Sequence, residues 1–185
     1  MSVIARQGSI LRSLEKYSSL LEELTEEEFQ QCPSEGVWSY AEVYSHILKA
    51  NLASLIAAEQ CINGTAAKSH ARTHWMVRLI LFFGRFPPGK YKVPASIAGF
   101  TAQITKEEAR NLIVKFRSRL ADISPRIAKA TPFHKVKHPR LGLFNASQWF
   151  RFIQIHTLHH QKQLDRIVRC FARHKKRLEQ CFEIF

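Results

Sequence analysis

The chain has 185 residues, a formal net charge of +13, 45% hydrophobic and 23% charged residues. That size and balance fit one globular domain over residues 1–185, with enough chain to bury a core without disulfides or structural metal. Seven Gly, seven Pro and no internal repeat exclude the collagen, low-complexity and long coiled-coil classes.

Met1 to Gln7 has neither the apolar run nor the small-residue cleavage site of a signal peptide, so a cytoplasmic protein is expected. From Ser9 to about Leu24, the apolar residues Ile10, Leu11, Leu14, Tyr17, Leu20, Leu21 and Leu24 recur at three and four, which predicts an amphipathic helix. Thr25 to Glu28 is a capping-box pattern opening a short helical turn before Pro33. A second long helix starts with Ser39 as cap and Glu42 three residues on, and stops at Asn63-Gly64 after about Cys61.

Residues 62–104 form a long insertion with one short apolar helix, roughly His70 to Phe83, and the Pro/Gly-rich stretch Phe86 to Lys90. Connections this long are often functional lids or crossovers. The apolar run from Trp75 to Phe83 is broken by Arg78 and falls short of the ~20 residues a bilayer needs, so no membrane partner is expected. A third long helix runs from Thr105 to near Lys129, with Pro125 kinking or shortening it. The fourth starts near Asn145 or Ser147 and carries Trp149, Phe152, Ile153, His156, His160, Leu164, Ile167 and Phe171 on one stripe. No alternating strand is read. The fold class is all-α: a four-helix bundle with a long connection between helices two and three.

Charge is uneven. Residues 1–60 carry a net −5 and residues 61–185 a net +18. Such a field attracts nucleic acid, anionic surfaces or small anionic substrates. The densest cluster, Arg173 to Arg177, sits near the end of a long helix, where cations complement the helix dipole. Dipole and solubility outweigh nucleic-acid binding as its explanation. Cys32, Cys61, Cys170 and Cys181 have no CxxC spacing and read as reduced thiols.

Of nine histidines, His70, His74, His134, His138 and His174 read as surface polarity from their polar or basic neighbours. His156 and His160 differ. Four residues apart on one helix, they stand on one face at the spacing by which two imidazoles grip a metal ion. His46 falls on the apolar side of the second helix beside Val43, Ile47 and Ala50. Three such nitrogens make a site with a position left open, the pattern of a catalytic metal. Glu42 and Gln163 stand one turn from His46 and His160 and are placed to orient a ligand's second nitrogen or a water. His159 points about 60° off the stripe and reads as a neighbour of the site.

Trp38-Ser39-Tyr40-Ala41-Glu42 with His46-Ile47 resembles the W-S-x-x-E-x-x-x-H-I signature of the DinB-like superfamily. His138-Pro139-Arg140-Leu141-Gly142, then Gln148-Trp149, then His156 to Gln163, is similar to its C-terminal half. The resemblance implies an up-down-down-up bundle, often dimeric, binding zinc, nickel or iron through three histidines that map onto His46, His156 and His160. It implies an enzyme acting on a small molecule, either a metal-dependent hydrolase or an S-transferase using a low-molecular-weight thiol. The basic field suits an anionic substrate or thiol, and the exposed-aromatic surplus at Trp75, Phe82, Phe83 and Phe86 points to a homodimer. The rival reading is a non-catalytic basic protein that binds nucleic acid or another polyanion and whose histidines are structural.

Overall fold

The computed structural model describes residues 2–87 and 101–182, with side chains described as far as residue 173. Four long helices make a bundle: α1 (Val3–Glu23), α3 (Tyr40–Ile62), α5 (Lys106–Ile123) and α6 (Ala146–Phe182). Two short helices, α2 (Glu26–Gln30) and α4 (Trp75–Phe83), lie in the connections. Within the stretch expected to begin as an insertion helix at His70, helix starts only at Trp75. The Pro/Gly-rich stretch lies outside the described residues from Pro88 onward.

Besides the reciprocal Asn145–Gln148 amide pair that opens α6, three helices start on capping boxes: Thr25 with Glu28, Ser39 with Glu42, and Thr105 with Glu108. In each, the hydroxyl accepts from the third helical N–H while the carboxylate accepts from the cap's own N–H. Losing such a cap costs about 1 kcal/mol. Pro125 ends α5 rather than kinking it, because its ring denies the next turn a donor. A 3₁₀ turn, Ser124–Lys129, continues instead.

Helix directions follow from paired residues. Tyr40 stacks on Phe171, His46 meets His160, Asn51 meets His156 and the Cys61 thiol meets the Phe144 carbonyl, so α3 and α6 run antiparallel. Glu59 near the end of α3 pairs with Arg119 near the end of α5, so those two run parallel. Glu22 at the end of α1 pairs with Arg110 at the start of α5, so these oppose each other. The order is up, down, down, up. Parallel neighbours α3 and α5 cannot be joined by a tight turn, since the chain must return along a helix of roughly 35 Å. That return is the long connection, and α4 lies in it.

One element departs from the expected all-helical chain. β1 (Val136–His138) pairs antiparallel with β2 (Gly142–Phe144), with Val136 opposite Phe144. Three-residue strands are too short to show alternation, and Gly142 takes the positive φ of 81° that the returning turn requires. The core runs the bundle's length, with Tyr17, Tyr44, Phe29, Phe116, Phe144 and Phe150 its largest fully buried side chains.

Candidate metal centre

α3 and α6 face each other through apolar stripes, and three histidines interrupt those stripes. His46, His156 and His160 are 6, 7 and 6% exposed. Their rings meet edge to face, with centroids 4.6 to 5.2 Å apart. The Nε2 atoms of His156 and His160 are 3.1 Å apart, and those of His156 and His46 are 3.3 Å apart. The spacing of four on α6 delivers two of them, and antiparallel packing delivers the third.

The other ring nitrogens decide what these contacts are. His156 Nδ1 lies 3.0 Å from Asn51 Oδ1. The Asn51 amide nitrogen donates to Thr157 Oγ1 at 2.9 Å, and that hydroxyl donates to the Ile153 carbonyl at 2.7 Å. This chain of donors turns the Asn51 oxygen toward His156, so His156 carries its proton on Nδ1. His160 Nδ1 likewise donates to Gln163 Oε1 at 2.7 Å. Both Nε2 atoms therefore present lone pairs, acceptor facing acceptor. A cation resolves that conflict. Three nitrogens each ~2.1 Å from one divalent ion stand roughly 3.0 to 3.4 Å from one another, depending on coordination angle. The donor set therefore fits an ion.

His46 is held differently. Its Nδ1 is buried with no hydrogen-bond partner, and the ring is fixed by the edge of Trp38 at 5.3 Å. Glu42, expected to orient His46, does not do so. Its carboxylate accepts from the Ser39 N–H at 2.8 Å, because the capping box claims it first. Gln163 does take the expected place on His160. His159 is half-buried and packs edge-on against His160 at 5.1 Å and against Phe86 at 5.2 Å. Phe86 also meets Phe152, so the chain leaving α4 closes over one side of the histidines.

Burial, with the neighbouring His159 imidazole, pushes His46 down to about 4. Burial, with the other imidazoles, holds His156 and His160 well below the usual histidine range. All three are neutral at physiological pH, which is the ligating form.

Two residues escaped the sequence reading. Asn51 is fully buried, and its signal was a polar residue in register with the core positions Tyr44, Leu48, Leu55 and Ala58. His138 reads as loop polarity from its Lys and Pro neighbours, yet it packs against Phe152 at 4.6 Å, Trp149 at 5.3 Å and Phe144 at 5.5 Å. Its Nδ1 accepts from the Arg140 and Leu141 N–H groups, both at 3.1 Å, and so shapes the hairpin turn. Burial pushes it down to about 4, with Arg140 adding to the effect. His70 and His74 are exposed, as expected. Cys32, Cys61 and Cys170 are free thiols.

α6 is set against its neighbours by buried polar bonds. Tyr17 donates to the Thr157 carbonyl at 2.6 Å, and Tyr44 donates to the Tyr17 carbonyl at 2.7 Å. These ties hold His156 within one residue of a fixed point on α1.

Two solved structures share the bundle. One is TT2238, a four-helix bundle protein, 19% identical with a TM-score of 0.52, covering 88% of this chain and 95% of that one. The other is YfiT from Bacillus subtilis, described as a probable metal-dependent hydrolase with an unusual four-helix bundle topology. It is 10% identical with a TM-score of 0.61, covering 92% of this chain and 87% of that one. No curated protein matches the chain in sequence. The family profile of the DinB superfamily matches residues 10–164, a span that takes in all three histidines and ends before the basic cluster at Arg173. The chain belongs to the DinB superfamily.

Proposed function

We propose that the chain is a metal-dependent enzyme of the hydrolase type, with one divalent ion held by His46, His156 and His160. The observation that carries the reading is the 3.1 Å approach of two Nε2 lone pairs whose Nδ1 protons are already committed to Asn51 and Gln163. A divalent ion on three imidazoles with a position open supplies Lewis acidity and makes a nucleophile available at neutral pH. The chain's own residues supply the rest. Asn51 and Gln163 fix the tautomers and orient the rings. Phe152, stacked on His156 with centroids 5.1 Å apart, and Phe86 wall the site with apolar surface. YfiT's description as a probable metal-dependent hydrolase supports the same reaction class.

Elemental analysis of gently purified protein tests the reading, with about one divalent ion per chain expected. A chain that is purified metal-free and takes up none on titration overturns it. Hydrolysis of simple esters or amides without added thiol is the expected activity. Turnover only with an added low-molecular-weight thiol would reassign the reaction to S-transfer.

A further inference from the structure

The connection between α3 and α5 carries two features that the metal centre does not use. The first is the outer face of α4. That helix buries only Val77 and Ile80, while Trp75, Met76, Leu79, Phe82 and Phe83 are 63, 48, 44, 78 and 61% exposed. Spacings of three, four and seven gather these five on one side. Arg151 donates to the Leu81 and Phe82 carbonyls, which ties the end of α4 to α6 and presents the face on an anchored helix. Single exposed apolar residues are ordinary, but five on one nine-residue helix mark a binding surface.

The second feature is charge. No Asp or Glu occurs between Glu59 and Glu107, while seven lysines and arginines do. Arg72, Arg78 and Arg85 are exposed. Every ion pair among the described residues lies elsewhere, on Glu22, Glu59 and Asp122. Beside α4 an open pocket of about 520 Å³ is lined by His70, Arg72, Arg78 and Lys135, and no carboxylate lines it.

We propose that α4 and its basic pocket dock the protein on an anionic lipid surface. The aromatic face enters the boundary between headgroups and acyl chains, and the cations meet lipid phosphates. Trp, Phe and Leu on one face with arginines alongside is the side-chain set of helices that lie in a membrane interface. No described helix is long and apolar enough to cross a membrane. The shortness of the Trp75–Phe83 run, on which the expectation of no membrane partner rests, excludes a span but not a contact with the surface. A second copy of the chain fits less well. A two-fold interface sets a patch against itself, which would bring Arg72, Arg78 and Arg85 of both copies together with no carboxylate between them.

The test is sedimentation of the full chain with vesicles of phosphatidylcholine alone and with roughly a third phosphatidylserine added. It needs no metal and no activity, so it stands apart from the hydrolase reading. Binding to the anionic vesicles only is expected, with a blue shift of tryptophan emission that Trp75→Phe removes. The Phe82→Ser/Phe83→Ser variant is expected to lower partitioning by roughly tenfold or more. Arg72→Gln and Arg78→Gln should each lower it by roughly fivefold. All are exposed positions, and parent-like circular dichroism checks that the variants fold. Inorganic phosphate should displace no more protein than sodium chloride of equal ionic strength. Selective displacement by phosphate would give the pocket to a free anion and overturn the proposal. So would equal binding to neutral vesicles, or no binding at all. A parent that is dimeric by light scattering, with the Phe82→Ser/Phe83→Ser variant monomeric, would give the face to a second copy and overturn it too.

Discussion

The seam between α3 and α6 and the connection between α3 and α5 use similar residues to opposite ends. Both contain aromatics, histidines and arginines. In the seam a buried network joins the polar groups around the histidines: Asn51 serves His156 and Thr157, Gln163 serves His160, and Tyr17 serves the α6 backbone, while Ser45 Oγ, His46 Nδ1 and Trp149 Nε1 are buried without a partner. On α4, Val77 and Ile80 are buried, Leu81 packs half-buried against the core, and five large apolar side chains face outward. Composition does not separate the two. What separates them is the length over which an apolar stripe stays in phase, since α6 keeps its stripe from Trp149 to Ile167 and α4 has nine residues in all. Burial is a property of the sustained period, and a short apolar helix without it becomes a surface.

The seam is most severely broken by His160→Ala. If the three histidines hold the proposed ion, loss of one of them should abolish metal occupancy, while helicity stays at the parent level because a helical domain of this size buries enough apolar surface to fold without an ion. The stability loss should be about 1–3 kcal/mol, from a small cavity and an orphaned Gln163. Metal content and circular dichroism measure both. Full metal retention would show that His160 is not a ligand, and outright unfolding would make the metal structural.

Acid should act on the same side of the molecule. His138, held at about 4 by burial and by Arg140, resists a proton that the unfolded chain accepts near 6.5. The unfolded state therefore binds more protons between those values. Stability is complete above about 6.5 and falls as the pH drops toward 4, by up to roughly 3 kcal/mol from this residue. Urea midpoints of metal-depleted protein at neutral and mildly acid pH should show the loss. His138→Asn keeps an acceptor for the turn but cannot titrate, so it should flatten the dependence. His46, His156, His159 and His160, whose burial acts in the same direction, contribute to the slope that remains. A parent more stable in acid would contradict the burial of His138.

Asn51 tests how far the seam is a network rather than a set of ligands. Asn51→Ala removes the acceptor for the His156 Nδ1 proton and the donor to Thr157. Metal affinity should fall by roughly 10–100-fold, and stability by about 1–3 kcal/mol from the buried unpaired groups. Metal titration and urea unfolding separate the two. Unchanged affinity would mean that packing alone, as at His46, suffices to orient a ring.

Legibility in the sequence followed the same division. His156 and His160 could be read because their relation is local, four residues along one helix. His46 could be read because its apolar neighbours put it on the inner stripe. Asn51 meets a partner 105 residues away, and only its position among core residues hinted at burial. Spacing along the helix places Glu42 beside His46, but a helix start consumes its carboxylate before any neighbour can. His138 owes its environment to a hairpin of three-residue strands and to aromatics of α6, none of which the loop's own Lys and Pro residues announce. Local periods were visible, and contacts across the chain were not.

The smallest effect is expected on α4 in plain buffer, and its smallness is the point. Phe82 is 78% exposed, and its aromatic contact is with its exposed neighbour Phe83, at 5.2 Å. Truncating a side chain that folding leaves in water removes almost no buried area, so Phe82→Ser should change stability by no more than about 0.5 kcal/mol. Phe152, 6% exposed beside His156, gives the contrast, since a Phe→Ala change in a core costs about 3–5 kcal/mol. Urea unfolding of the two variants side by side measures the difference between a residue kept for the fold and one kept for a partner. If Phe82→Ser lost 2 kcal/mol or more in dilute buffer, something in the free protein would already cover α4. The outer face would then belong to the bundle, and the division between seam and surface would fail at that helix.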